Sequence, residues 1–261
     1  MDQTLDSKNL PLVSVILATY NGQKYLHQAI DSVLNQSYKN LELVIVDDGS
    51  EDHTFLIAQK YRHDDERVRL IQQKNKGVGP ARNYGVKEAK GSLIALIDDD
   101  DFWEDKQKIQ KQVYFLEENL HHVLIGGAMT KIVNEAGVLK YEYNLPKSDE
   151  EIRNTFLMRN CFVTSSVMFR KEIFFKAGEF KSMKLAEDYD LWLRMGHFGL
   201  MANIDCIANH RERRASVSSQ RKLDMYKTVL KIVKKQHGKY PKYWLGMLKG
   251  YARIIHYKLF H

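Results

Sequence analysis

Four consecutive aspartates, Asp98 to Asp101, follow the apolar run "LIALI" and precede Phe102 and Trp103. Adjacent carboxylates repel one another, so a site that concentrates them has use for a cation. Side chains two apart on an extended segment point the same way, and Asp98 and Asp100 can therefore reach one divalent ion, directly or through water. Oxygen ligands suit Mg²⁺ or Mn²⁺ and disfavour Zn²⁺. The run predicts a platform on which a metal ion holds a diphosphate.

Phosphate-binding glycine motifs are missing from the sequence. G-x-G-x-x-G does not follow the first predicted strand, which argues against a dinucleotide site, and the lack of G-x-x-x-x-G-K-[ST] excludes a P-loop. In both motifs backbone amides neutralise the phosphates. Acids stand at the strand ends here, so a diphosphate would bind through a cation.

The acidic run ends one strand in a regular alternation of strands and helices. Apolar β-branched runs alternate with segments of helical periodicity. The predicted strands are 12–18, 41–50, 67–73 and 92–97, and the predicted helices are 23–36, 51–62 and 79–90. This order predicts an α/β fold whose mostly parallel central sheet is flanked by helices. Such sheets bind ligands at the carboxyl ends of their strands, where "TYNG", "DDGS" and "DDDD" lie.

After residue 105 the pattern is less regular. We predict helices near 105–120, 148–158 and 185–199, and strands near 122–133, 138–143 and 161–170. No linker rich in Pro, Gly or Ser separates the two halves. The second half is therefore interpreted as a region that shapes the substrate site.

Composition places the chain among globular proteins, with 261 residues of which 44% are hydrophobic. The two cysteines, Cys161 and Cys206, are too few for a disulfide framework and lack metal-ligand spacing, as expected in a reducing compartment. The N-terminal segment is polar and acidic, unlike a signal peptide, and no apolar run approaches the ~20 residues that span a bilayer. We expect a cytoplasmic protein, at most bound to a membrane surface.

Positive charge is concentrated near the C-terminus. Of the 40 Lys and Arg residues, 14 lie between Arg211 and His261, beside 2 acidic residues. Helical periodicity predicts amphipathic helices over 222–236 and 243–260. The first is expected to cover the domain, whereas the second has the composition of an interfacial helix on anionic lipid. Nucleic acid is the competing polyanion, but no recognition motif accompanies the charge, so we predict no nucleic-acid partner.

Five segments together resemble the glycosyltransferase family 2 pattern on the GT-A fold. They are "VSVILATYNG", "LELVIVDDGS", "NKGVGPARNYG", "LIALIDDDDFW" and "AEDYDLWLR", in the family's order over residues 11 to about 218. The resemblance implies an inverting transferase that moves a sugar from a nucleotide-diphosphate donor to a hydroxyl of a glycan or lipid-linked acceptor. It implies a GT-A domain over 1–218, with a nucleotide-sugar-binding half at 11–104 and an acceptor and catalytic half at 105–218. A basic helical tail at 219–261 follows.

The resemblance assigns donor-binding roles to five residues: Tyr20, Asp48, Arg82, Asp98 and Arg211. Tyr20 would stack on the base, a contact worth about 1–3 kcal/mol. Asp48 would accept a hydrogen bond from the base, which favours uracil or thymine and hence a UDP- or dTDP-sugar. Arg82 would lie near the nucleotide, and Arg211 could pair bidentately with the diphosphate. The alternatives are a loop tyrosine packed on the sheet edge, a solvated helix arginine and a solvated basic loop.

The family's D-x-D pattern falls on Asp98 and Asp100. Asp100 is expected to bind Mn²⁺ or Mg²⁺ directly, and Asp98 to contact the ribose or metal-bound water. Asp99 and Asp101 are interpreted as structural, with Asp101 capping the next helix. In the closing segment "NHRERRASVS", Arg213 replaces a His that often binds metal or phosphate, and His210 replaces the usual Tyr.

Asp188 in "AEDYDLWLR" is the expected catalytic base. Inversion in one displacement requires a base that takes the proton of the acceptor hydroxyl as its oxygen attacks opposite the leaving diphosphate. A partly dry cleft and the neighbouring Glu187 would raise the pKa of Asp188. The alternative is that Glu187, Asp188 and Asp190 are favourable charges at a helix N-terminus.

Two other functions compete with a glycosyltransferase. A sugar nucleotidyltransferase also uses carboxylate-bound metal on an α/β sheet, but needs a basic loop after the first strand, where "TYNGQK" stands. A non-catalytic nucleotide-sugar-binding module would have no use for Asp188.

Overall fold

Strands and helices alternate through the first hundred residues, as the sequence predicts. The computed structural model describes residues 10–212 and 221–260. The elements of this half are β1 (Val13–Thr19), α1 (Leu26–Leu34), β2 (Leu41–Asp47), α2 (Thr54–Asp64), β3 (Val68–Gln72), α3 (Val78–Glu88) and β4 (Leu93–Asp98). β1 and β2 are apolar and almost fully buried, as expected for strands covered on both faces.

The second half is less regular and ends in two helices. Its elements are α4 (Lys108–Glu118), β5 (His122–Val133), β6 (Leu139–Asn144), α5 (Asp149–Phe156), a 3-10 helix (Thr164–Ser166), β7 (Met168–Arg170), α6 (Lys171–Lys176), α7 (Glu187–Met195), β8 (Leu200–Arg211), α8 (Lys222–Lys234) and α9 (Tyr243–Phe260). The two last helices occupy the predicted tail.

Two predictions of local structure are wrong. The strand expected over 161–170 is reduced to β7, because the 3-10 helix turns the chain just before it. The twelve-residue strand β8 was not predicted. Its sequence "LMANIDCIANHR" lacks clean alternation because Asn203 and Asn209 are buried in it; the Asn203 amide donates to the carbonyl oxygens of Pro146 and Cys161 at 2.7 and 3.0 Å.

One eight-stranded sheet runs through the molecule in the order β3-β2-β1-β4-β7-β5-β6, with β8 beside β5. β1 to β4 pair in parallel, and β8 is parallel to β5. The pairs β4–β7, β5–β7 and β5–β6 are antiparallel. The prediction of a parallel sheet therefore holds for the first half, whereas the second half is mixed.

Apolar side chains form a core layer on each face of the sheet. Alternate strand residues divide between the layers, with Ile16 and Val44 on one face and Val15 and Leu43 on the other. The first layer also contains Leu230, Ile232 and Val233. Helix α8 therefore covers the domain, as predicted. Among the helices of residues 10–212 and 221–260, none has the length and apolarity needed to cross a bilayer.

Candidate active site

The carboxyl ends of β1, β2 and β4 lie at the floor of a cavity of about 880 Å³. Parallel registry sets Thr19 beside Asp47 and Ala18 beside Asp98, so the loops that follow these strands meet. The cavity is lined by the predicted site residues Tyr20, Asp48, Arg82, Asp98, Asp100 and Arg211. Asp188, the remaining predicted site residue, is not among the residues that line the cavity. The sequence thus predicted that these side chains lie together at one edge of the sheet.

A buried carboxylate and an exposed aromatic ring both line the cavity. Asp48 Oδ1 accepts hydrogen bonds from the Lys76 backbone N–H (2.9 Å) and Gln73 Nε2 (2.6 Å). Its Oδ2 accepts from the N–H of Gly77 (2.8 Å), whose φ of +91° suits glycine. These bonds fix the carboxylate, and Tyr20 exposes 46% of its surface in the same cavity. Together they can bind a planar ring that carries an N–H on its edge.

The loop after β1 closely approaches the acidic run. Thr19 Oγ1 donates a hydrogen bond to Asp99 Oδ2 at 2.6 Å. A Cβ added at Gly22 would lie 2.3 Å from the same carboxylate oxygen. A larger residue at position 22 would have to displace this carboxylate, and Asp99 has the structural role that the sequence predicts.

Asp101 joins the acidic run to β8. Its Oδ1 accepts from the Arg211 backbone N–H (2.8 Å), and its Oδ2 accepts from Ser165 Oγ (2.5 Å) and contacts His210 Nδ1 (3.1 Å). The expectation that Asp101 caps the next helix is wrong, because α4 starts seven residues later at Lys108. Burial of Asp101 between distant segments fixes the run in place.

Arg82, which lines the cavity, links two carboxylates. Its Nη2 donates to Asp98 Oδ1 at 2.6 Å and its Nη1 to Glu187 Oε1 at 3.0 Å. The guanidinium is buried over the Phe180 ring, and the two carboxylates raise the pKa of Arg82 despite that burial. Arg82 is therefore not a solvated arginine on the helix surface, which was the alternative to a role in the site. Arg82 neutralises part of the acidic cluster.

Asp188 lies in the first turn of α7, one residue beyond the contact between Glu187 and Arg82. Burial, assisted by the negative charge of Glu187, raises the pKa of Asp188 to about 6. Its Oδ2 accepts hydrogen bonds from Asn160 Nδ2 (3.2 Å) and Thr164 Oγ1 (3.3 Å), which orient the carboxylate. A carboxylate of this kind is ionised at neutral pH and basic enough to take a proton.

Arg211 does not match the predicted bidentate contact with a diphosphate. Its side chain donates to the carbonyl oxygens of Asp100 (2.8 Å), Asn134 (3.2 Å) and Glu135 (2.8 Å), and to Gln28 Oε1 (2.6 Å). Four of the five N–H groups of a guanidinium are thereby used within the protein. Arg211 instead holds the backbone of the acidic run.

His210 is a site residue that the sequence reasoning missed. Its ring lines the cavity, with 43% of the side chain exposed. The negative charge of Asp101 raises the pKa of His210 to about 9, so the imidazole is a cation at neutral pH. The departure from the family's usual Tyr was the signal that could have identified it. Arg213 lies outside the described residues.

The cavity offers carboxylates suited to a hard divalent cation. Within the described parts of the chain, no group of three or more His, Cys, Asp or Glu side chains is arranged around one point. Magnesium is commonly held by one or two carboxylates, with substrate phosphates and water completing the shell. Asp98 and Asp100 line the same cavity and fit that arrangement.

The family model described as "Glycosyl transferase family 2" matches residues 14–176. The chain belongs to this family. Among the relatives of this glycosyltransferase is the chondroitin synthase of Escherichia coli, 32% identical over 221 residues. That alignment covers 84% of this chain and 32% of the relative, so the glycosyltransferase spans about a third of the longer protein.

Solved structures share the GT-A fold with this glycosyltransferase. The Pyrobaculum calidifontis mannosyltransferase PcManGT, solved with GDP-Man and Mn²⁺, superposes over 100% of this chain and 79% of its own, with a TM-score of 0.70 and 15% identity. The 1–349 fragment of S. aureus TarS, solved with UDP-GlcNAc, superposes over 94% and 73%, with a TM-score of 0.69 and 20% identity. The predicted fold class is confirmed, with α8 and α9 as its C-terminal helices. Membership in family 2 favours a glycosyltransferase over the nucleotidyltransferase and the non-catalytic module.

Proposed function

We propose that this glycosyltransferase moves a sugar from a UDP- or dTDP-sugar to a hydroxyl of a glycan or lipid-linked acceptor, with inversion at the anomeric carbon. The observation that carries the proposal is the environment of Asp188. Its partly buried carboxylate has a pKa raised to about 6 and is oriented by two hydrogen bonds, next to the Glu187–Arg82–Asp98 chain that leads to the cavity. Residues 1–218 would hold the catalytic groups, and residues 219–261 would form an accessory tail.

The donor base would contact Asp48 and Tyr20, which both line the cavity. The carboxylate of Asp48 would accept the N3–H of uracil or thymine, while Tyr20 would stack on the ring. The crystal structure of TarS in complex with UDP-GlcNAc supports a uridine donor. PcManGT was solved with a guanosine donor, and guanine also offers N–H groups, so the donor panel must include GDP-sugars.

The diphosphate would lie over the acidic run. Asp100 would ligate Mn²⁺ or Mg²⁺, and Asp98 would contact the ribose or metal-bound water. The Mn²⁺ in the PcManGT structure supports the use of a divalent ion. When bound, the ion would neutralise charge on the leaving diphosphate. His210, a cation held by Asp101, is placed in the cavity to contact the same group.

Transfer would then require one proton movement by the protein. The acceptor oxygen attacks the anomeric carbon while Asp188 accepts its proton, and the bond from that carbon to the diphosphate oxygen breaks, leaving its electron pair on the nucleotide diphosphate. Hydrogen bonds from Asn160 and Thr164 hold the Asp188 carboxylate during this step. Arg82 keeps Glu187 in place and limits the pKa of Asp188, because its charge favours the ionised carboxylate.

We propose a cytoplasmic location, at or near a membrane surface. The two cysteines are buried and unpaired, as suits a reducing compartment. The basic C-terminal helices are the feature that favours a nearby anionic surface.

A donor panel tests the proposed function. Purified protein is titrated calorimetrically with UDP-, dTDP- and GDP-sugars, with Mn²⁺, with Mg²⁺ and with a chelator. We expect tight binding of a uridine or thymidine donor that the chelator abolishes, and an inverted anomeric configuration in the product by NMR. Binding of no nucleotide sugar, or a product that retains configuration, would contradict the proposal.

A further inference from the structure

Helix α9 has apolar side chains on two opposite faces, and only one of them packs against the domain. On the packed face, Gly246 lies against Leu157 and Gly250 against Leu230; a Cβ added at either glycine would approach a leucine carbon to 2.8 Å. Met247, on the same face, is buried. The helix is therefore seated closely on the protein through this face.

The opposite face of α9 is apolar and exposed. Trp244 (73% exposed), Leu248 (67%) and Leu259 (72%) follow helical spacing with Tyr251 and Ile255. The full exposed set is Trp244, Leu245, Leu248, Tyr251, Ile255, Leu259 and Phe260. Soluble proteins rarely leave a contiguous patch of this kind uncovered unless it is an interaction site.

Cations accompany this exposed apolar face. Lys249 and Arg253, four residues apart, follow one side of the helix, and Lys258 lies near its C-terminal end, while Lys242 directly precedes its first residue. Burial and the positive charge of Arg253 and Arg159 lower the pKa of Lys249, so this flank crowds like charges together.

Acidic residues do not balance these charges. From 221 to 260 the sequence has 11 Lys and Arg residues but a single acid, Asp224. That acid pairs with Arg221 at 2.7 Å, at the other end of the segment from α9.

We propose that the exposed face of α9 binds the surface of a bilayer that contains anionic phospholipid. The apolar side chains would enter the boundary between headgroups and acyl chains, and the flanking cations would contact lipid phosphates. Charge decides against a second copy of this chain as the partner, because a two-fold contact through this face would bring two strongly basic segments together. This inference goes beyond the proposed catalytic function, and lipid binding requires neither donor nor metal.

Trp244 reports on the proposed contact in the unmodified protein. The sequence has three tryptophans, and Trp103 and Trp192 are buried, so Trp244 is the one that added vesicles can affect directly. The full chain is mixed with vesicles of phosphatidylcholine alone or with phosphatidylglycerol. We expect a blue shift of emission and co-sedimentation with the anionic vesicles at low salt, and release at high salt.

A pair of double variants tests whether α9 makes the contact. Leu248→Gln with Ile255→Gln should weaken anionic-vesicle affinity by roughly tenfold or more per residue, since each removes a buried aliphatic side chain from the bound state. Leu56→Gln with Leu120→Gln, equally exposed but elsewhere, is the matched control and should bind as the unmodified chain does. Lys249→Gln with Arg253→Gln should cost about fivefold per charge. All six positions are at least partly exposed, and circular dichroism should show native folds.

The proposal is overturned if the unmodified protein ignores anionic vesicles at low salt, or if the Leu248→Gln, Ile255→Gln variant binds them normally. Equal binding to neutral and anionic vesicles would contradict the proposed requirement for anionic phospholipid. A second copy would be the partner if two results occurred together. The unmodified chain would bind no vesicles, and it would form a dimer in analytical ultracentrifugation that the Leu248→Gln, Ile255→Gln variant converts to monomer.

Discussion

Glu187→Gln should shift the acid limb of the pH–rate profile of sugar transfer to lower pH. In the unmodified enzyme, Asp188 has a pKa of about 6, raised by burial and by the charge of Glu187. The base works only when ionised, so the rate at pH 5 should be about one-tenth of its plateau. The sign follows from charge: without Glu187 the ionised form of Asp188 gains stability, and Arg82, released from its 3.0 Å contact, adds to this effect.

The size of the shift is bounded by the structure. Burial remains in the variant, so the pKa of Asp188 should fall without reaching the ordinary aspartate value of 3.8. A fall of about one unit, to near 5, would raise the rate at pH 5 from one-tenth to about one-half of the plateau. The ratio of rates at pH 5 and pH 7 is the quantity to measure, because a general loss of activity cancels from it.

The assay is initial-rate transfer to a soluble glycan acceptor at saturating donor, from pH 4.5 to pH 8. Glu172→Gln, at an exposed glutamate on α6, is the matched control and should leave the profile unchanged. Two results would refute the assignment of Asp188 as the catalytic base. One is an acid limb that does not move in Glu187→Gln, and the other is an unmodified enzyme whose rate is the same at pH 5 and pH 7.

Three further predictions concern the metal, pH-dependent stability and the loop after β1. Asp100→Asn should keep the fold but lose most of the difference in nucleotide-diphosphate affinity between Mn²⁺ and chelator, measured by calorimetry; an unchanged difference would move the metal elsewhere. The pKa of His210 is raised from 6.5 to about 9, so its pair with Asp101 stabilises the fold fully below pH 6.5 and is lost as pH rises through 9. His210→Gln should therefore flatten the decline in melting temperature over that window, and an identical decline would contradict the pairing. Gly22→Ala should cost about 1–3 kcal/mol in urea unfolding, because its Cβ would lie 2.3 Å from the Asp99 carboxylate; a stability equal to that of the unmodified chain would contradict the close approach.

The sequence predicted the sheet edge well because local signals define it. β1, β2 and β4 are continuous apolar runs that end in polar residues, so both the strands and the side at which they finish can be read without tertiary information. Parallel pairing then brings Tyr20 and Asp48 into the cavity. The resemblance to the family added the expected roles of these residues, which stay predictions.

The errors concern residues whose roles depend on distant partners. Asp101 was interpreted from its neighbours as a helix cap, yet its carboxylate is bound by the Arg211 backbone 110 residues away. The guanidinium of Arg211 likewise is held by Gln28 and by backbone carbonyls far along the chain. β8 escaped prediction because Asn203 and Asn209 occupy buried positions that periodicity reserves for apolar residues. Contacts between residues so far apart in the chain cannot be predicted from the local sequence pattern.

Asp188→Asn, measured for donor binding and for transfer on the same preparation, tests the central claim most directly. The amide keeps the shape of the carboxylate but cannot accept the acceptor proton, so nucleotide-sugar affinity by calorimetry should stay within a few-fold, while the transfer rate falls by about 10²–10⁴. Near-normal transfer with intact donor binding would contradict the account and would move the base elsewhere, with Glu187 as the first residue to test.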